Sequence, residues 1–85
     1  MKNSIEDEIL VDFGGAMKRI RERKGMTQGD VFRQSGLERS YLSKFENNKI
    51  PYPRIRTVYR IAQALTVSLD EFIKEATDGN LPKGQ

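Results

Sequence analysis

Cysteine and histidine are both absent from the 85-residue sequence. Their absence removes disulfide staples, thiolate chemistry, most zinc geometries and the commonest general base. Any catalytic site would have to be built from carboxylates and lysines. No run of eighteen apolar residues exists, so the sequence offers no candidate membrane span. The N-terminal MKNSIEDEI is acidic where a secretory signal would be basic and then apolar. These features predict a cytoplasmic chain with no membrane association. A single small domain of this length has little interior for a buried catalytic cavity, which favours a function carried on the surface.

What is present is basic charge, unevenly placed. The net charge of +3 hides an acidic arm, residues 1–12, where one lysine stands against four acids. Residues 13–60 carry four lysines and all eight arginines against four acids, and residues 61–85 carry two lysines against four acids. A basic block in the middle of a small domain is the electrostatic footprint expected of a nucleic-acid binder, although a solvated surface with uneven charge would look the same.

The pattern along the chain is helical. Phe13, Met17 and Ile20, with Ala16 beside them, recur at helical spacing among Lys18, Arg19, Arg21, Arg23 and Lys24, and Gly25 is a natural stop. Upstream, Ile5, Ile9 and Leu10 either extend this helix or form a separate arm. Thr27 is placed to cap a second helix, with Asp30 in the capping-box position and Val31 and Phe32 on its apolar side. Gly36 then supplies a hinge and Leu37 a plug. From Glu38 to Asn47 a third helix sets Leu42 and Phe45, with Tyr41 at the edge, against a polar ridge of Ser40, Ser43, Lys44 and Asn47 beside Arg39. The loop NNKIPYP follows, with Pro53 placed to start a fourth helix in which Ile55, Val58, Ile61, Ala62 and Leu65 recur at helical spacing as the apolar stripe and Arg54, Arg56 and Arg60 are exposed. Ser68 and Glu71 form a capping box for a fifth helix with Leu69, Phe72 and Ile73. The reading is an all-α domain of five helices over residues 13–76, with residues 77–85 as a flexible tail. Gly14 and Gly15 lack the strand and the further glycines of a phosphate loop, and nothing in the sequence supports an enzyme.

Two short helices joined by a glycine-containing turn, the second polar on its outer face, form a helix-turn-helix arrangement. Residues 13–73 resemble the Cro/phage-repressor (Xre-type) family, whose fold is lambda-repressor-like. The resemblance rests on Thr27–Gln28, Gly36, the S-x-x-E of Ser43 to Glu46, and RIAQAL at 60–65 followed by VSLDEF at 67–72. It implies a transcriptional regulator, most simply a repressor, with double-stranded DNA as its partner and no cofactor. It also implies that the third helix lies in the major groove and that a homodimer binds a palindromic operator whose half-sites are roughly 34 Å apart.

By the same resemblance Arg39, Ser40 and Lys44 read bases, Arg39 through guanine O6 and N7. Gln28 and Thr27 at the start of the second helix, together with Ser43, Asn47, Lys49, Tyr41 and Arg54, contact phosphate or the sugar-phosphate wall. Half-buried packing is the plainer reading of Tyr41. Leu69, Phe72 and Ile73 are the implied dimer surface. A second reading is an antitoxin-like interaction module in which the domain or the acidic arm binds a protein. Five features depart from the family pattern. Phe32 stands where alanine is usual, so its ring must swing out or widen the helix crossing. Asn48 and Thr66 replace glycines, Glu38 replaces a better N-cap, and the loop at residues 50–52 is about one residue long for the family.

Overall fold

A computed structural model describes residues 11–78; residues 1–10 of the acidic arm, with Ile5, Ile9 and Leu10, and residues 79–85 lie outside the described residues. The described chain forms α1 (Phe13–Arg23), α2 (Gln28–Ser35), α3 (Arg39–Glu46), α4 (Ile55–Ala64) and α5 (Leu69–Asp78), in the order expected and with no strand among the described residues. α1 packs on α5 and α3, α2 on α4 and α3, and α4 on α5. Their apolar stripes meet in one core around Met17, Ile20, Val31, Leu42, Phe45, Val58, Ile61, Leu65 and Phe72. Phe13 is half-buried between two of these rings, with centroids 6.3 Å from Phe45 and 5.9 Å from Phe72.

The helix ends follow from single residues. Asp12 caps α1 by accepting from the Gly15 N–H at 2.8 Å, and Thr27 and Asp30 close the capping box of α2. Ser68 and Glu71 do the same for α5, each side chain accepting the other's backbone N–H at 3.0 Å. Three helices end in the same left-handed turn. The N–H two residues past the cap reaches back to close it in Met26 to the Arg21 carbonyl (2.8 Å), Lys49 to Lys44 (2.8 Å) and Val67 to Ala62 (3.0 Å). The residue that must turn left-handed is Gly25 (φ 69°) in the first, Asn48 (φ 57°) in the second and Thr66 (φ 60°) in the third. Asn accepts this conformation readily; a β-branched threonine does not.

Three boundaries differ from expectation. Pro53 does not open α4, which begins at Ile55 after an extended Arg54 (ψ 147°). Residues 77 and 78 belong to α5 rather than to a tail: Ala76 is buried and the Thr77 hydroxyl donates to the Ile73 carbonyl at 2.9 Å, fastening the last turn. Asn47 closes α3 as its C-cap instead of lying inside it, while Glu38 takes the N-cap place expected of it.

Candidate nucleic-acid interface

The turn between α2 and α3 is built from four residues. Gly36 (φ 75°) ends α2 in the left-handed region, its N–H donating to the Phe32 carbonyl at 2.9 Å. Ser35 is buried and its hydroxyl accepts from the Leu37 N–H at 3.1 Å, while Leu37 packs on the core. Arg60 of α4 donates from Nη2 to the Ser35 carbonyl at 2.7 Å, satisfying an orphan acceptor at the helix end. The direction in which α3 leaves the turn is thereby set by α4 as well as by the glycine.

α3 then divides as its sequence does. Leu42 and Phe45 are buried, and Tyr41 is half-buried with its ring 6.3 Å from that of Phe45, so it packs on the core with part of its surface left open. Arg39, Ser40, Lys44 and Asn47 are exposed, Ser43 is partly covered, and Lys49 and Arg54 are exposed in and after the loop. The Asn47 amide donates to the Ser43 carbonyl at 2.9 Å. Glu38 makes no side-chain hydrogen bond to the first turn, which leaves the N-terminus of α3 uncapped.

The far end of α3 is fixed by a charged cluster that spans three helices. Arg21 of α1 donates to both carboxylate oxygens of Glu46, from Nε at 2.7 Å and from Nη2 at 3.2 Å, and also to the Met26 carbonyl at 2.9 Å. The Glu46 side chain is only 7% exposed, and the Gln28 amide of α2 donates to its Oε1 at 2.7 Å. Bidentate geometry fixes the orientation of this pair and low exposure shields it from solvent screening, so losing either partner would leave the other desolvated and unpaired. Beside it Gly14 lets α1 approach so closely that an added Cβ would meet the carbonyl oxygen of Phe45 and lie 2.6 Å from that of Glu46. Asn48 reaches across the same junction, accepting from the Gly14 N–H at 3.0 Å and donating to Asp12 at 2.6 Å.

Several expected site residues hold structural partners. Gln28 spends one amide hydrogen on Glu46; its second has no partner among the described residues. The Thr27 hydroxyl accepts from the Asp30 N–H at 3.0 Å as the α2 cap. Phe72 is fully buried, so its side chain cannot form a dimer surface, whereas Leu69 and Ile73 on the same helix remain partly exposed. The reason is register: Phe72 faces the core together with Ala76, one turn on. The large apolar side chains left exposed include Tyr52 and Tyr59, which did not stand out in the sequence, and Ile55, which the periodicity placed in the apolar stripe of α4 but which is 63% exposed at the first position of that helix, a turn before the buried Val58. The Arg21–Glu46 pair was also missed, since its partners are 25 residues apart and each reads locally as a solvated charge. The S-x-x-E spacing, in which Glu46 takes the last place, was its one trace.

Phe32 resolves as an outward swing. The residue is 36% exposed and α2 still packs on α3, with the Arg39 guanidinium carbon 5.3 Å from the ring centroid.

The helix-turn-helix family model matches residues 17–72. The uncharacterized HTH-type transcriptional regulator y4dJ of Sinorhizobium fredii is 40% identical over 60 residues, which cover 71% of this chain and 77% of that protein. Antitoxin HipB of Escherichia coli is 33% identical over 54 residues, 64% of this chain and 60% of its own length, so the chain spans less than two thirds of that relative. The solved structure of the biofilm master regulator SinR in complex with DNA superposes with a TM-score of 0.64 at 28% identity, covering 71% of this chain and 95% of that one; SinR of Bacillus subtilis is an HTH-type transcriptional regulator. A match over more than half of the sequence, a 40% identical relative and the helix-turn-helix geometry agree: the chain belongs to the Xre-type helix-turn-helix family of transcriptional regulators.

Proposed function

We infer that the protein acts in the cytoplasm as a small transcriptional regulator, most simply a repressor, that binds duplex DNA sequence-specifically with α3 in the major groove. The observation that carries this reading is the contrast between the two sides of α3. Its inner side and its C-terminal end are locked by core packing and by Arg21–Glu46, while Arg39, Ser40, Lys44 and Asn47 stand exposed on the other. A rigid helix with a ridge of exposed donors satisfies the need for preorganised contacts to base edges. Arg39, Ser40 and Lys44 are the base-contacting residues in this reading. The second Gln28 amide hydrogen, Ser43, Asn47, Lys49 and Arg54 hold phosphate and fix the register. Thr27 acts through its cap, which keeps the first turn of α2 in place.

One such domain spans few base pairs, so a two-fold pair of domains on a palindromic site is the natural assembly. Leu69 and Ile73 of α5, with the exposed Ile55 and Tyr59 one turn apart on α4, are the apolar side chains available to join two copies. Selection of the purified protein against random duplex DNA at two salt concentrations tests the reading. It predicts a palindromic motif with guanine in each half-site; binding without sequence preference that fades as salt rises would contradict it. Similarity to HipB supports a second activity, capture of a protein partner, compatible with the first. It predicts that a partner co-purifies with the intact chain and is lost when residues 1–10 are removed.

A further inference from the structure

Arg39 is exposed yet not free in solution. Among the described residues no carboxylate pairs with it: Asp30, the acid on the neighbouring helix, bonds to Arg33 instead. What Arg39 meets is a seat on α2. Its guanidinium carbon lies 5.3 Å from the centroid of the Phe32 ring, and one turn earlier Gly29 leaves the space in which a Cβ would come within 3.1 Å of Arg39 Nη2. Gly29 and Phe32 stand three residues apart on one face of α2, so ring and gap are side by side. An aromatic ring at this distance attracts a guanidinium through its quadrupole, and Arg remains able to donate from its edge while a ring covers its face.

We propose that Phe32 is a positioning residue for sequence recognition: its ring, with the gap at Gly29, holds the Arg39 guanidinium in place before DNA arrives, so that its donor edge meets a base without first being ordered. This rests on the reading of Arg39 as a base-contacting residue and adds to it the group that presets the side chain. An arginine ordered in advance loses less rotamer freedom on binding. The attraction available at an exposed site corresponds to about a two- to fivefold gain in affinity and base discrimination.

The test is a double-mutant cycle on the full chain, using the duplex selected by the wild-type protein and the same duplex with its half-site guanines replaced. Phe32→Leu is expected to reduce discrimination about two- to fivefold, with unchanged circular dichroism, because the ring lies at the surface. Phe32→Tyr, which keeps the ring, is expected to retain it. In an Arg39→Ala background Phe32→Leu is expected to change nothing further. Full discrimination in Phe32→Leu, or an equal loss with and without Arg39, would overturn the positioning role; the second result would mean that the ring touches DNA by itself. Discrimination that survives Arg39→Ala would overturn the base-contact reading beneath it, and this inference with it.

Discussion

Gly14 and Thr66 are two residues on which local backbone demands and side-chain identity bear most directly. At Gly14 the carbonyls of Phe45 and Glu46 occupy the space a methyl group would need, and both are backbone atoms that cannot swing away. Alanine would gain up to about 1 kcal/mol of helix propensity, but overpacking against a fixed backbone costs about 1–3 kcal/mol. Gly14→Ala is therefore expected to lower stability, by about 2 kcal/mol at the upper end of that range, in urea denaturation. Thr66 is the opposite case, since a β-branched residue at φ 60° carries a conformational cost of about 1–2 kcal/mol. Against removing it stand the hydrogen bond from Lys24 Nζ to the Thr66 hydroxyl at 2.6 Å and the looser unfolded chain that glycine brings. Thr66→Gly is expected to raise the urea midpoint by a net gain of about 0.5–1 kcal/mol. Both glycine-type positions were visible in the sequence. Their roles were legible only where the demand is local, as in the left-handed Asn48; the crowding at Gly14 comes from residues more than 30 positions away.

At the scale of the element, α3 is an eight-residue helix without a side-chain N-cap, and helices this short are not stable by propensity alone. It is held by Leu42 and Phe45 in the core, by the left-handed turn at Asn48, and by Glu46 in the grip of Arg21 and Gln28. Removing one partner of a little-exposed ion pair leaves the other desolvated and unpaired. Glu46→Ala is accordingly expected to cost about 2–4 kcal/mol of stability. At temperatures where the variant still folds, it should weaken specific DNA binding more than binding to random duplex. The two faces of α3, the capping boxes of α2 and α5 and the order of all five helices could be read from periodicity and caps, because those signals lie within a few residues of one another. The direction of α3 could not, because Arg21 and Arg60 reach it from other helices.

At the scale of the whole molecule, the chain's two described ends are tied together through α1. The Asp12 N–H donates to the Ala76 carbonyl at 2.9 Å, and Arg19 donates to Glu75 at 2.7 Å and to Asp12 at 3.3 Å, with Arg23 adding a contact to Glu75 at 3.4 Å. Partial burial pushes the Asp12 carboxyl up, but bonds from Asn48, the Gly15 N–H and Arg19 outweigh it and hold the group below its ordinary 3.8. The hydrogen bond from Arg19 holds Glu75 below 4.5 against a smaller opposing effect of burial. A carboxyl whose folded value is depressed stabilises the fold above its unfolded value and loses that contribution as pH falls through the folded one. Melting temperature is therefore expected to be flat from neutral pH down to about 5 and to fall as pH drops below about 4. Asp12→Asn together with Glu75→Gln should remove part of that dependence and leave the part due to Asp30, whose carboxyl is held low by the Thr27 N–H.

The same closed bundle leaves the polar side of α3 exposed, and the proposed function makes that helix the reader. Methylation interference at guanine N7, which lies in the major groove, tests that most directly on a duplex selected by the protein. The account predicts that methylating the half-site guanine blocks wild-type binding and has little effect on the weaker binding of Arg39→Ala. Interference spread evenly along the duplex, or the same pattern in both proteins, would contradict the placement of α3 in the major groove with Arg39 as its reader.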